Sequence, residues 1–464
     1  MAGKILIIQK NKNMNKIIII PFIIFCSLQG LWAQNYSSLR VKEEYDLLNT
    51  LQINKYKPCS KDPKDDGGTF GDGMSYILDG YITMYKTTGD KAYLYKFIMQ
   101  SLCIMKNRHD LAGVDSKPRW DDTITTPNNT TYPQMNREGY IIGAMARFVY
   151  YVRMEEPALK NMPLYQFPEI ANNYFAETFS TLGQFANWLG VRVNETLNWF
   201  IANGYWNNSF GFSKHPNENY ATHVNWLIGF ARALLFMGLS DPNYDYQQKA
   251  LIIANLFKSN VNFHDPCEGK SYNAPMLRWE SNNTYWWYHH GWRVYKRNCG
   301  IYFKVPKYSE FIKYLEDISH GGVVMFLPLE YYDYQPSTPF TTSDMIRFRN
   351  TFTKNIYDGN GGFHNAMNGD DNPIGTCTDC LPNQFKMRTL AYMPYERFDG
   401  ADATATSPNV YNIIMDFYAS NIANSTAFGV AFCSGYAKRW ECVNGKDSGA
   451  EVGIAVGLIF NIFS

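Results

Sequence analysis

The chain has 464 residues, with 43 basic and 42 acidic side chains and a formal net charge of +1. This balance argues for neither a nucleic-acid partner nor an anionic membrane surface. Aromatic residues make up 16% of the chain, including 34 tyrosines and 11 tryptophans. Such an excess suits proteins that stack flat side chains on the apolar faces of sugar rings.

Residues 1–34 have the pattern of an export signal. Lysines precede an apolar run over 17–25, and the small residue Ala33 provides a cleavage position. We therefore predict a signal peptide over 1–34 and a mature, periplasmic or secreted chain over 35–464. Cys26 offers the alternative of a lipoprotein, which the bulky residue before it disfavours. No later stretch is apolar over about 20 residues, so no membrane span is predicted.

The cysteines suit an oxidising compartment. Of the nine in the chain, eight remain after Cys26, an even number compatible with disulfides. Cys433 and Cys442 flank a short loop and are predicted to pair. Cys377 and Cys380 are predicted to form a second disulfide, the alternative being half of a zinc site. Neither a second Cys-x-x-Cys nor a close histidine pair completes that site, so no metal is expected.

The oxygen-rich run that contains Asp370 and Asp371 is a candidate calcium site. The run includes a glycine but lacks the spacing and the terminal glutamate of an EF-hand loop. We predict a solvated turn there, and no cofactor for the protein.

Apolar residues recur at three- and four-residue spacing along most of the chain, which is the pattern of amphipathic helices. Sustained strand alternation is not found. The expected helices cover 74–88, 91–107, 139–154, 171–200, 220–237, 246–259, 342–355, 409–421 and 451–463.

Two helix connections resemble each other and indicate a repeat. Each has a glycine C-cap, Gly89 or Gly238, followed by an aspartate expected to cap the next helix, Asp90 or Asp241. The aspartates are 151 residues apart (241 less 90), about three hairpins of roughly 50 residues. Such hairpins close into a ring or stack as a solenoid.

Long polar loops rich in Trp and Tyr are predicted over 110–138, 260–307 and 357–386. Loops of this length in a compact domain are usually functional or disordered, and the aromatic content argues against disorder. In a ring of helices they would crowd one rim and build a cleft.

The stretch from Glu316 to Gly321 places two carboxylates, a hydroxyl and an imidazole before an apolar run. If a helix begins near Asp317 or Ser319, His320 lies in its first turn, where the helix dipole disfavours the imidazolium. A neutral histidine can accept a proton, so His320 is a candidate general base. The alternative is a capped helix start with an ordinary, partly buried histidine.

Several of these segments together resemble a known superfamily. Residues 88–94, then Asn107-Arg108-His109-Asp110 and Arg119-Trp120, then 316–321 and 340–348 look like α/α-toroid proteins of the six-hairpin glycosidase-like superfamily. The single-domain lyases that cleave alginate and glucuronan are the nearest in size. The resemblance implies an all-α, (α/α)6 or (α/α)7 toroid over 35–464. It also implies carbohydrate chemistry, without choosing between lyase, hydrolase and epimerase.

A lyase that cleaves a uronate polysaccharide must neutralise the sugar carboxylate, remove the C5 proton and protonate the departing oxygen. We predict β-elimination in an acidic polysaccharide, by a protein that acts as a monomer. The candidate catalytic residues are His320, Tyr288, Tyr285, His289, Arg278, Glu316 and Asp317. The candidate substrate-binding residues are Asn136, Arg137, Trp120, Trp287 and Asn225.

Within this set, each task has more than one candidate. Arg278 or Arg137, with Asn136, would neutralise the carboxylate. His320 or His289 would take the proton, and Tyr288 or Tyr285 would donate one to the leaving oxygen.

Other readings stay open. A glycoside hydrolase needs two carboxylates about 5–10 Å apart, and the side chains of the adjacent Glu316 and Asp317 diverge. One of them would have to pair with Asp121, Asp122 or Glu138. A uronyl C5-epimerase would use the first two tasks of the lyase. A non-catalytic glycan-binding protein would also explain the aromatic loops and the export signal.

Overall fold

The computed structural model describes positions 46, 49–50, 53, 57–60, 70–120, 133, 135–164, 179–213, 216, 224–242, 245–265, 270–275, 277–287, 316, 318–335, 337–364, 366–369, 410 and 413. The chain divides into two units, Met1–Leu47 and Leu48–Ser464, and nearly all described residues belong to the second. Several predictions fall outside the described residues: the signal peptide, the pairs Cys377–Cys380 and Cys433–Cys442, the run at Asp370 and Asp371, and the helix over 451–463.

The described residues are mainly helical, which confirms the predicted all-α class at that level. The helices are α1 Ser75–Thr88, α2 Ala92–Lys106, α3 Met135–Tyr150, α4 Leu182–Ala202, α5 Val224–Ser240, α6 Tyr246–Lys258, α7 Ile318–Val324, α8 Phe326–Tyr334 and α9 Thr342–Asn350. Short 3-10 turns cover Pro58–Ser60 and Pro157–Asn161. Turns of π-helix cover Phe70–Met74, Tyr151–Glu155 and Thr351–Ile356.

Side-chain caps fix two helix starts. Thr341 forms a capping box with Asp344 at the start of α9. The extended Thr181 accepts a hydrogen bond from the Gln184 amide, so α4 begins at Leu182. The predicted helix over 171–200 is therefore not continuous, because the described residues 179–181 are not helical; apolar spacing does not show where the backbone leaves the helix.

The predicted likeness of the two helix connections is only half correct. Gly89 ends α1 in the left-handed conformation with φ 68°, as expected. Gly238, in contrast, lies inside α5, and a Cβ there would come within 2.7 Å of the Gln247 backbone nitrogen. Its small size lets α6 pack against α5, and α6 begins at Tyr246, well after Asp241.

Four helices run parallel: α1, α3, α5 and α8. Aromatic rings of α1 contact rings of α3 and of the π-turn that follows it, in the same order along both segments: Tyr76 with Tyr140, then Tyr85 with Tyr151. Between α5 and α8, the Tyr331 hydroxyl donates to the Ala231 carbonyl oxygen at 3.1 Å. One turn further along these two helices, the rings of Phe236 and Tyr334 are 5.4 Å apart.

Helix α4, which lies between α3 and α5 in the chain, runs back in the opposite direction. Gly183 of α4 packs against Lys160, which follows α3, whereas Gly190 packs against Val149 within α3. Parallel helices joined by returning helices are the arrangement that consecutive αα-hairpins produce.

Glycines bring α3 and α5 into backbone contact. A Cβ on Gly229 would overlap the carbonyl group of Gly139, and one on Gly139 would lie 2.7 Å from the Phe230 ring. Only glycine fits at these two positions. The Tyr140 hydroxyl also donates to the Asn225 carbonyl oxygen at 2.6 Å.

A buried ionic cluster joins the four parallel helices. Arg232 donates to Asp79 at 2.7 and 3.0 Å and to Glu330 at 2.7 and 2.8 Å. Arg147 donates to Asp79 at 3.2 Å, so two cations meet two carboxylates. Burial alone would raise the pKa of Asp79, but the charges of Arg232 and Arg147 outweigh it and hold that pKa below its usual value.

Short antiparallel hairpins interrupt the helices. They are β1 Trp206–Asn207 with β2 Gly211–Phe212, β3 Asn260–Asp265 with β4 Lys270–Pro275, and β5 Arg278–Trp279 with β6 Tyr285–Trp286. The last two hairpins lie in the segment predicted as a loop over 260–307. Val261 and Phe263 do alternate with polar residues, but over too few positions to have been recognised as a strand.

A disulfide joins Cys59 to Cys103 in α2, with their Cα atoms 4.5 Å apart. The predicted use of cysteines in disulfides is thus confirmed by a pair that spacing did not suggest. Asn107 supports the link, because its amide donates to the carbonyl oxygens of Pro58 and Cys103, both at 3.0 Å. In the described part of the chain, no helix combines the length and apolar character needed to cross a membrane.

Candidate functional site

The first turns of α3, α5 and α7 lie at one end of the parallel helices. The contacts between Gly139 and Gly229 set α3 and α5 level near their N-termini. A single residue, Met325, separates α7 from α8. Because α8 runs parallel to α5, α7 lies beside the beginning of α5, against which it packs. The structure thus packs α5 against both α3 and α7, whose first turns are about 90 residues from that of α5 in sequence.

His320 lies in the first turn of α7 and is exposed. The predicted helix start near Asp317 is confirmed, since α7 begins at Ile318. An exposed imidazole can reach a ligand, which a histidine in a dry core could not. The side chain of Ser319, as well as Asp317 as a whole, lies outside the described residues.

Glu316 takes a different position from His320. Its amide donates to the Trp287 carbonyl oxygen at 3.0 Å, and its own carbonyl oxygen accepts from the Met367 amide at 3.1 Å. The side chain is 0% exposed. Glu316 therefore anchors the chain before α7, and its carboxylate faces the protein interior.

The first turn of α3 holds Asn136, Arg137 and Glu138. Asn136 and Arg137 are half-buried, and Arg137 packs against Gly71. The Asn136 Oδ1 atom is buried and accepts no hydrogen bond from the part of the chain that the structure describes. A cationic side chain at the start of a 16-residue helix suits a carboxylate ligand.

Glu138 is buried with one oxygen engaged. Its Oε1 accepts from the Trp120 amide at 2.8 Å, while Oε2 accepts nothing from the described residues. Burial raises the pKa of Glu138 well above its usual value, and the opposing charges of Arg119 and Arg108 do not cancel this effect. A carboxyl whose pKa is raised keeps its proton to higher pH, which suits it to donate that proton.

Asn225 lies in the first turn of α5 and is 2% exposed. Its backbone oxygen binds the Tyr140 hydroxyl, but its side-chain Oδ1 accepts no hydrogen bond from the described residues. Buried acceptors without donors are costly. Asn136 and Asn225 each contribute one such acceptor at this end, and both atoms are shielded from solvent in this conformation.

Trp120 and Trp287 were predicted to contact substrate, but the structure places both in the core at 0% exposure. The Trp120 indole donates to the Ile104 carbonyl oxygen at 2.9 Å. The Trp287 ring packs edge-on against Phe257 and Phe348. An indole stacks on a sugar only through a free face, so in this conformation both residues support the fold.

Tyr285 fixes the β5–β6 hairpin to α9. Its hydroxyl donates to Asp344 Oδ1 at 2.6 Å and accepts from Arg347 Nη1 at 3.0 Å. Burial and the hydrogen bond to Asp344 raise the pKa of Tyr285 to about 12. The Tyr285 hydroxyl is therefore already engaged in a hydrogen bond to Asp344, which disfavours it as the acid that protonates a leaving group.

Arg278 lies on the opposite face of the same hairpin. It pairs with Trp286 across the strands, and its guanidinium carbon is 5.1 Å from the Trp286 ring centroid. Both side chains are half-buried.

A path of contacts connects this hairpin to the start of α7. The Asn355 amide donates to Thr284 in the hairpin and to the Met367 carbonyl oxygen, both at 3.2 Å. Met367 in turn binds Glu316 and covers Gly321. Arg278 and His320 therefore belong to one connected region. The candidates Tyr288 and His289 lie outside the described residues.

The stretch around Arg108, which contributes to the superfamily resemblance, has a structural role. Buried Arg108 donates to Asp110 at 2.8 Å and to Glu195 of α4 at 2.6 Å. It also donates to the Arg192 carbonyl oxygen at 2.7 Å. These bonds tie the loop after α2 to α4, and so position Arg119 and Trp120 beside Glu138.

The ionic cluster was not anticipated from the sequence. Its members are Asp79, Arg147, Arg232 and Glu330. A signal was nevertheless present, because Arg232 is the only charged residue of α5 and Glu330 lies among apolar and aromatic residues of α8. A lone charge on an apolar helix face requires a buried partner.

Comparison with models of protein families and with curated protein sequences finds no match to this chain. Within the described residues, no group of three His, Cys, Asp or Glu side chains is arranged to hold a metal ion.

Proposed function

We propose that this protein is a carbohydrate-active enzyme, on an α/α toroid, that cleaves a uronate-containing polysaccharide by β-elimination. The toroid is supported by four parallel helices, with α4 running back between α3 and α5. The observation that supports the activity is that His320 is exposed in the first turn of α7, which packs against α5, while Asn225 and the pair Asn136 and Arg137 lie in the first turns of α5 and α3. The disulfide suits an exported protein that acts outside the cytoplasm.

Substrate binding begins with the uronate carboxylate. Arg137 and the start of α3 bind it and withdraw charge, which makes the C5 proton easier to remove. Asn136, which is half-buried beside Arg137, orients the ring through a hydroxyl group. Arg278 binds a neighbouring uronate of the polymer.

In the chemical step, His320 takes the C5 proton. The electron pair of the C5–H bond forms the C4=C5 double bond while the C4–O bond breaks. Tyr288 gives its proton to the departing glycosidic oxygen, since the Tyr285 proton is held by Asp344. The products are one fragment whose new non-reducing end is an unsaturated uronate and one fragment with a new reducing end, which keeps the protonated glycosidic oxygen.

The decisive experiment compares His320→Ala and Tyr288→Phe with the unmodified protein on alginate, glucuronan and polygalacturonate. The ultraviolet absorbance of the unsaturated product measures elimination. Losing a positioned acid or base lowers turnover about 10²- to 10⁴-fold. His364→Ala is the control, as a histidine without an assigned role. Near-normal elimination in both test variants contradicts the assignment.

Glu138 supports a second candidate, a glycoside hydrolase. A buried carboxyl with a raised pKa and one unengaged oxygen is suited to protonating a glycosidic oxygen. In that case Glu138→Gln abolishes the release of reducing ends, and no unsaturated product forms in the unmodified protein. Binding of glycan without either product identifies a non-catalytic glycan-binding protein.

A further inference from the structure

We propose that Trp279, at the end of β5, is a stacking platform for a sugar ring of an acidic polysaccharide. The inference rests on the proposed function for the identity of the polymer and on the hairpin itself for the site. The Trp279 side chain is 67% exposed, more than any other large apolar side chain in the described ranges. An indole of this exposure offers a flat apolar surface that a ligand can cover.

One neighbour fixes the orientation of the Trp279 ring. The guanidinium carbon of Arg347 lies 4.7 Å from the ring centroid. Arg347 is itself held, because it donates to Asn283 Oδ1 at 3.2 Å and to the Tyr285 hydroxyl at 3.0 Å. The guanidinium occupies one side of the indole and leaves the rest to solvent. A flat apolar surface of this kind matches the C–H face of a pyranose ring.

The exposure of Trp279 does not come from a loose loop. Thr351 accepts from the Tyr285 amide at 2.9 Å and donates to the Tyr285 carbonyl oxygen at 2.7 Å. The Asn350 amide donates to the Asn283 carbonyl oxygen at 3.0 Å, and the Asn282 amide donates to Asn355 at 3.1 Å. The hairpin is thus fastened to α9 and the turn after it. A platform that is already ordered loses little entropy on binding.

The charges around the hairpin favour an acidic ligand. Lys354 is exposed and binds the turn through the Asn282 carbonyl oxygen, and Arg278 and Arg347 are half-buried. The opposing exposed carboxylate, Glu280, is engaged by the Trp286 indole at 2.5 Å. Asp344 is buried and paired with Lys258. On the described residues nearest Trp279, Lys354 is an exposed cation beside the turn, and Arg347 lies against the indole while also pairing with Asp344 at 3.5 Å. Such cations complement a polyuronate.

The test measures binding of polyguluronate, glucuronan and polygalacturonate, with dextran as the neutral polymer, by affinity electrophoresis. The proteins are the full chain, Trp279→Ala, Trp279→Phe and the control Trp206→Ala. Trp206 is a matched choice because it also lies on a β-hairpin beneath a cation, Lys249. We expect Trp279→Ala to weaken binding of an acidic polymer about tenfold. Trp279→Phe should retain most of the affinity for the acidic polymer, and Trp206→Ala should bind it as tightly as the unmodified protein does.

The outcomes separate the platform from the catalytic proposal. If Trp279→Ala binds the acidic polymers as well as Trp206→Ala does, the platform is wrong, whatever the cleavage assay shows. Binding of dextran as tightly as the polyuronates overturns the acidic ligand class, and binding of none of the four polymers overturns the platform. If Trp279-dependent binding occurs but no polymer is cleaved, the platform stands and the proposed activity fails.

Discussion

Glu138 shows how position decides the chemistry of a single residue. On the sequence it is one of several acids in an aromatic region, but in the fold it is buried at the start of α3 with one oxygen on the Trp120 amide. Burial outweighs the nearby arginines and raises its pKa. Asp344 shows the opposite result. Burial would raise its pKa, but hydrogen bonds from Lys258 and Tyr285 hold that pKa below its usual value.

The raised pKa of Glu138 predicts a pH-dependent stability. Because the folded pKa lies above the unfolded one, the folded state binds the extra proton. The contribution of Glu138 is fully present below the unfolded pKa of about 4.3 and is lost as the pH rises through the folded pKa. Glu138→Gln stays neutral, so its free energy of unfolding should fall less than that of the unmodified protein between mildly acidic and neutral pH. Urea unfolding at several pH values measures this.

The exposed Glu156→Gln serves as the control for Glu138→Gln and should leave the pH dependence unchanged. Parallel curves for Glu138→Gln and the unmodified protein would show that Glu138 ionises normally. The raised pKa would then be incorrect, and the support for the hydrolase candidate would be removed.

At the scale of elements, the parallel helices are joined by two kinds of contact. Gly139 and Gly229 let α3 and α5 touch backbone to backbone. The ionic cluster links α1, α3, α5 and α8 through side chains that are all buried. The first kind determines how closely two helices approach. The second makes the four helices depend on one another, since each charge needs its partners from another helix.

Removing one member of the cluster should therefore be costly. Glu330→Gln leaves Arg147 and Arg232 with Asp79 as their carboxylate, and we expect a loss of about 3–5 kcal/mol in the free energy of unfolding. The pair Arg232→Met with Glu330→Leu leaves Asp79 matched by Arg147, so its loss should be smaller than the sum of the single losses. Urea denaturation followed by circular dichroism gives these values.

The surface pair Lys86–Glu155, with side chains 25% and 29% exposed, provides the comparison for the cluster. Lys86→Gln should cost at most about 1 kcal/mol. If Glu330→Gln costs no more than Lys86→Gln, the cluster does not hold the helices together.

At the scale of the whole molecule, the Cys59–Cys103 disulfide ties the segment before α1 to α2 across a sequence separation of 44 residues. Closing a loop of that size lowers the entropy of the unfolded chain, and this stabilises the folded state by up to about 4 kcal/mol at room temperature. The Asn107 bonds to Pro58 and Cys103 hold the two segments together in the folded state. The disulfide thus anchors the segment that precedes α1 to helix α2.

We expect the double variant Cys59→Ser with Cys103→Ser to lose up to about 4 kcal/mol in the free energy of unfolding under oxidising conditions. A reducing agent should lower the free energy of unfolding of the unmodified protein, because it breaks this disulfide. The double variant has no such bond to lose, so it should not show this decrease. Peptide mapping by mass spectrometry identifies the bridge. Free thiols at both positions in protein purified without reductant would contradict it.

The sequence by itself determined the helical class and the positions of most helices. Apolar spacing reflects the one buried face of each helix. Gly89 and the capping box at Thr341 end and begin helices through contacts with residues only a few positions away in the chain. It also located the start of α7, because a polar stretch followed by an apolar run marks a helix N-terminus. The place of His320 in a first turn follows from that alone.

The tertiary structure decided which residues meet and which side chains remain accessible. Spacing could not distinguish Trp279, which is exposed, from Trp287, which lies in the core, since both belong to the same aromatic segment. Nor could it pair Cys59 with Cys103 or Asp79 with Arg232. These pairings depend on how distant helices pack, and burial, which determines the pKa of Glu138 and the availability of Trp279, is a property of the packed chain.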